Sequence, residues 1–112
     1  MMTKKAKFVV HTSYHIHPED KQIFIDAVKA HILVTREVPG NVYYHFSFDM
    51  IDPDICILAE GWTDHEAIDT QLKSENFQNA LKAVMDNVRI IERHGTIYTV
   101  SGEADIIPDT ID

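Results

Sequence analysis

Apolar and polar positions change rhythm several times along the chain, and each change marks an element. From Lys7 to Tyr14 aromatic and β-branched residues dominate, which predicts a first strand. Pro18, followed by Glu19 and Asp20, suits the opening turn of a helix, where acids face the positive end of the peptide dipoles. Ile23, Phe24, Ala27, Val28, Ala30, Ile32 and Val34 then recur at helical spacing. Pro39-Gly40 ends that helix and turns the chain. Val42, Tyr44, Phe46 and Phe48 alternate with Tyr43, His45, Ser47 and Asp49, a period of two. Asp52-Pro53-Asp54 turns into a further strand, Ile55 to Trp62, so 42–49 and 55–62 should pair as an antiparallel hairpin.

Thr63 and Glu66 have the spacing of a capping box, and the helix they open places Ala67, Ile68, Gln71 and Leu72 on one face. Ser74 reads as a second cap. After it Phe77, Ala80, Leu81, Val84, Met85 and Val88 form the clearest helical stripe of the chain. Ile90-Ile91 and, beyond Gly95, Ile97 to Val100 supply a last strand. The order β-α-β-β-α-β predicts an α+β, ferredoxin-like antiparallel sheet with its helices on one face. One domain over residues 6–101 is expected, with a frayed polar start, Met1 to Lys5, and an acidic tail, Gly102 to Asp112.

Ile55-Cys56-Ile57-Leu58-Ala59 is apolar at five consecutive positions, the pattern of a strand buried on both faces. Helices on one side cover only one of them. A second copy packed sheet on sheet would cover the other, so a homodimer is expected. The alternative is that Cys56 and Ala59 are simply small enough to tolerate exposure.

Charge narrows the choice of partners. The 112 residues carry 10 Lys+Arg against 18 Asp+Glu, a net −8. That disfavours nucleic acid and anionic membrane surfaces, both of which select a basic face. No apolar run approaches the about 20 residues of a membrane span, and the apolar run near the start is too short and polar for a secretory core. Cys56 is the single cysteine, so no intrachain disulfide forms and a reducing, cytoplasmic setting is expected. No Gly-rich phosphate loop and no Gly-x-Ser-x-Gly elbow occur.

Val38-Pro39-Gly40-Asn41-Val42-Tyr43-Tyr44, Asp52-Pro53, Glu60-Gly61-Trp62-Thr63-Asp64-His65-Glu66-Ala67-Ile68 and Ser74-Glu75-Asn76-Phe77 together resemble the antibiotic biosynthesis monooxygenase (ABM) domain family and the wider dimeric α+β barrel group. The resemblance spans about residues 6–101. It implies a dimeric barrel and a cofactor-independent monooxygenase acting on a small electron-rich aromatic such as a quinol, phenol or anthrone. Many quinol-oxidising relatives, and similar autoinducer-processing isomerases, carry His nine residues after this Trp and another five later. Here those positions hold Gln71 and Asn76, which keep hydrogen bonding but take no proton at neutral pH. This favours, as the alternative, a non-catalytic dimeric small-molecule-binding protein. It also counts against the isomerase. In the register of haem-degrading relatives the functional positions fall on Thr12, Gln71 and Leu81. Leucine cannot ligate iron, so these positions count against haem degradation.

Candidate site residues follow from both readings. Gln71 shares the apolar helical face and should turn toward the sheet, where a buried amide requires partners. It and Asn76 are candidate orienting amides, with Phe77 and Tyr44 as further candidate contacts to an aromatic ligand. Trp62 is a candidate wall, although large aromatics more often belong to the core. His45 and Glu60 are the candidate bases, His45 because its ordinary pKa suits proton transfer at neutral pH. Which face of the second strand meets the helices is open from pattern alone. Thr12 is a weaker candidate by register. His11, His15 and His17 invite a metal reading, but no third ligand follows at useful spacing, and no metal is expected. His31 reads as a satisfied or partly exposed helix histidine, and His65 and His94 as solvated turn residues.

Overall fold

The structure, a computed structural model, describes residues 5–106. The expected frayed start and acidic tail therefore lie largely or partly outside the described residues. β1 (Phe8–Ile16) leads through a single 3-10 turn (Pro18–Asp20) into α1 (Lys21–Arg36). β2 (Asn41–Phe48) and β3 (Ile55–Trp62) follow as the hairpin, then α2 (His65–Lys73), α3 (Glu75–Asn87) and β4 (Ile90–Thr99). The strands form one antiparallel sheet in the order β2-β3-β1-β4, the ferredoxin-like arrangement that the element order predicts.

The turn signals act where the sequence places them, with two revisions. Gly40 takes φ +95°, and a Cβ there would stand 2.6 Å from that of Ala67, so backbone and space both require glycine. Ser74 accepts from the Phe77 amide at 3.1 Å and separates α2 from α3. The first revision concerns the α2 cap: Asp64, not Thr63, accepts from the Ala67 amide at 2.8 Å, while the Thr63 hydroxyl donates to Asp64. The shorter, charged side chain reaches the exposed N–H group and suits the positive helix end. The second is that β4 runs unbroken through Gly95, paired along β1 from Phe8↔Thr99 to Ile16↔Ile90. His94 is consequently a mid-strand residue, and His65 opens α2 beside Asp69 rather than sitting in a turn.

Helices cover only the face carrying Tyr14, Ile16, Tyr44, Phe46, Cys56, Leu58 and Trp62. Two apolar clusters fill that interface, one around Ile16, Phe24, Val28, Cys56, Val84 and Val88, the other around Tyr44, Leu58, Trp62, Ala67 and Ile68. A latch outside the sheet ties the 3-10 turn to the start of β4. Asp20 accepts from the Arg89 amide at 2.8 Å and from its guanidinium at 2.9 Å, which holds the carboxyl down to about 2. The opposite face carries His11, Ser13 and His15 with Ile57, Ala59, Tyr43 and His45, and no described element covers it. No helix among the described residues is long and apolar enough to cross a membrane.

Candidate active site

Between the sheet and the helices lies a cavity of about 830 Å³. Its floor is built from alternate residues of all four strands, and its roof from α1, α2 and α3. Thr12, Tyr44, Glu60, Gln71 and Phe77 line it, so five of the residues singled out by pattern or resemblance meet there.

Glu60 is the chemically exceptional group. It stands on β3 directly opposite Tyr44 of β2 and Val10 of β1, all on the helix side. Its carboxylate accepts from the Trp62 indole N–H at 3.0 Å. Burial among apolar neighbours pushes its pKa up to about 7, against the lowering effect of that hydrogen bond. A carboxyl so placed exchanges protons at neutral pH, as a general acid–base group must.

Across from it runs a buried polar chain. The Tyr44 hydroxyl lies 2.8 Å from His31 Nε2, and Asn76 Nδ2 donates to His31 Nδ1 at 2.9 Å. Because Nδ1 accepts, the neutral ring carries its proton on Nε2 and donates it to Tyr44 Oη. Burial lowers the His31 pKa, which favours that neutral form. Tyr44 in turn stays protonated, its pKa raised by burial and by the nearby Glu60, and keeps its own O–H to donate. Thr35 closes the chain, receiving a hydrogen bond from Gln71 Nε2 at 2.9 Å. Gln71 Oε1, although the residue is 3 % exposed, has no hydrogen-bond partner among the described residues. An acceptor left unpaired in such surroundings costs about 1–3 kcal/mol.

Two candidates take positions other than those expected, and a third, Trp62, takes the core place weighed against the wall. Trp62 is fully buried in the core behind the cavity, where it holds Glu60 rather than forming a wall. Asn76 stands behind His31 instead of touching the cavity. His45 is on the helix-free face, stacked on Tyr43 and 3.1 Å from Arg36 Nη2, so it cannot act on a ligand in this cavity. The period of two puts it opposite Tyr44, and the helices cover the Tyr44 side. Conversely, His31 was legible as part of the first helix's apolar stripe, but its role required Tyr44 and Asn76, which come 13 and 45 residues later. Arg93 and Tyr14, also lining the cavity, gave no sequence signal of their own.

The family profile of antibiotic biosynthesis monooxygenases matches residues 7–83. The chain belongs to that family. No curated protein matches it. Among solved structures, a Deinococcus radiodurans protein provisionally named an antibiotic biosynthesis monooxygenase superposes with a TM-score of 0.82 at 19% identity, over 90% of this chain and 99% of that one. One from Nitrosomonas europaea, named in the same way, gives 0.77 at 18% identity over 85% and 99%. A conserved protein from Methanosarcina mazei gives 0.78 at 22% identity over 86% and 94%. At such identities the likeness establishes the ABM fold, and the chemistry rests on the cavity itself.

Proposed function

We propose that this ABM protein is a cofactor-independent monooxygenase for a small electron-rich aromatic of the quinol, phenol or anthrone type. The observation that carries the reading is Glu60, a buried carboxyl on the wall of a mostly apolar cavity, with a pKa near the pH of the cell. In the proposed sequence Glu60 takes a proton from the bound substrate, and the Tyr44 O–H donates to the oxyanion that develops. His31 holds Tyr44 in that orientation. The electron-rich anion passes one electron to dioxygen, and the radical pair joins to a peroxide. For an anthrone, the proton returns from Glu60 and the peroxide loses water to leave a carbonyl. One O2 is consumed, with one oxygen atom retained and one released in water. The protein contributes proton transfer, orientation and exclusion of bulk water.

Gln71 and Asn76, where quinol-oxidising relatives carry His, favour the second reading, a binder without chemistry. Glu60 weighs against it, since a carboxyl able to exchange a proton lines the same cavity from another element. Oxygen uptake by the purified protein with a panel of quinols and anthrones separates the two. Uptake above the buffer rate, one O2 per product, is expected; a flat trace with saturable binding would leave the binder.

A working homodimer belongs to the same proposal. Ile57 is 36% and Tyr98 50% exposed on the helix-free face, beside Val9 and Ala59. A second copy laid sheet on sheet would cover this surface. Sedimentation equilibrium should give twice the chain mass, and a single-chain mass would remove this part of the proposal.

A further inference from the structure

Asn76 stands outside the cavity, yet it decides which way a proton points inside it. Its side-chain nitrogen lies 2.9 Å from His31 Nδ1 and 3.4 Å from the His31 backbone carbonyl oxygen. A carbonyl only accepts, so the amide nitrogen faces it and the amide oxygen points away. The main chain of α1 thus fixes the orientation of the amide, and the second hydrogen of the same nitrogen goes to Nδ1. A ring nitrogen that accepts carries no proton. The imidazole proton is therefore on Nε2, 2.8 Å from Tyr44 Oη. Among the described residues His31 is the one hydrogen-bond partner of that hydroxyl, and Tyr44 lines the cavity. Occupied on one side by the His31 N–H, the hydroxyl directs its own hydrogen into the cavity.

A second branch has the same direction. Gln71 Nε2 donates to Thr35 Oγ1 at 2.9 Å, and Thr35 Oγ1 lies 3.4 Å from the same His31 Nδ1. Both branches begin at an amide nitrogen and converge on Nδ1, and neither amide exchanges a proton at neutral pH. The Tyr44 and Phe77 rings, 5.4 Å and 5.7 Å from the imidazole between centroids, pack it in place. A carboxylate at position 76 would reverse the polarity. It accepts only, so it would draw the ring proton to Nδ1, as the carboxylate of a Ser-His-Asp triad does. Nε2 would then accept the Tyr44 hydrogen, and the cavity would meet oxygen lone pairs, which repel an oxyanion.

We propose that Asn76 is a positioning residue: it sets the tautomer of His31 and, through it, turns the Tyr44 O–H toward whatever the cavity holds. An anion developing there meets a donor already in place, which is how a preorganised site stabilises an oxyanion. This rests on the proposed function for the reaction it serves, but the tautomer is read without substrate.

Nitrogen-15 NMR of the histidine rings in the intact protein tests it, since a bare and a protonated ring nitrogen differ in chemical shift. The His31 signals are those missing from His31→Gln. At about pH 8, above the ordinary imidazole pKa of about 6.5, the wild type should show a bare Nδ1 and a protonated Nε2. Asn76→Asp should move the proton to Nδ1. In oxygen uptake with the quinol and anthrone panel, Asn76→Asp should lower kcat by about 10²–10³, the loss of one oxyanion donor, with KM within about twofold. Tyr44→Phe should lose as much, and the double variant no more than either, because both remove the same O–H from the cavity. A merely structural Asn76 would multiply the losses instead. A wild-type proton on Nδ1, a proton that Asn76→Asp leaves on Nε2, or multiplied losses in the double variant would each overturn the inference. The wild-type spectrum needs no variant at position 76, so the inference can fail even where Asn76→Asp does not fold. A flat wild-type uptake trace would end the proposed function while the NMR still decides the tautomer, so the two fail separately.

Discussion

Two faces of one sheet, made by alternate residues of the same four strands, have opposite chemistry. On the helix side Glu60, Tyr44, Tyr14 and His31 are buried around a cavity, and burial moves the pKa of every one of them. One residue away along the same strands, His45, His11 and His94 are exposed, and His94 pairs at the surface with Glu92. The number of titratable groups does not separate the faces. Desolvation does: around the cavity the side chains with altered proton affinity are those whose water the helices strip. Histidine content alone would point to the other face, the one that no described element packs over.

The sharpest way to break this comparison is to neutralise one group on each face. Glu60→Gln should slow oxygen uptake by about 10²–10⁴, the usual contribution of a general base. His45→Gln should leave uptake within about twofold, since it removes a surface group rather than a general base. Equal losses in the two variants would mean that the cavity is not where the chemistry occurs.

Packing separates the faces next. Leu58, 4 % exposed under the helices, should cost about 2–5 kcal/mol on truncation to alanine, measured by urea unfolding. Ile57, its neighbour on the open face, should cost less than about 1 kcal/mol in the isolated chain. A larger loss at Ile57 that grows with protein concentration would identify the open face as the contact between two copies.

The smallest effect is in the dependence of stability on pH. Glu60 titrates near 4.5 when unfolded and about 7 when folded. Between those values the folded chain keeps a proton that the unfolded chain releases, so stability falls as pH rises across the window and levels off above it. Asp20, held at about 2, is ionised throughout and adds no slope. His31, shifted downward, acts in the opposite sense below its ordinary value. The difference between the wild type and Glu60→Gln therefore isolates Glu60. The variant should gain on the wild type by about 1–3 kcal/mol from pH 4.5 to 8, read from melting temperatures.

Much of the fold was legible because its signals are local. The alternation over 42–48, the stripe from Phe77 to Val88, Gly40 and Ser74 each act within a few residues of themselves, and the elements form where they predict. The site was legible only in part. Gln71 was found because a polar residue interrupts an apolar helical stripe, and Glu60 because it shares a strand face with Trp62. Trp62 was a candidate wall weighed against a place in the core, and it lies in the core, as large aromatics more often do. His31 was passed over because its partners Tyr44 and Asn76 belong to other elements.

By itself the sequence determined which residues share a face, through periods of two and 3.6, and the order of elements that allows this sheet. It did not determine which face the helices cover, because exchanging the faces leaves a period of two unchanged. Tertiary structure made that choice by laying α1, α2 and α3 over Tyr44, Leu58 and Glu60. With it came the proton affinity of Glu60, the exclusion of His45 from the cavity and the recruitment of His31. Each depends on water removed by segments distant along the chain.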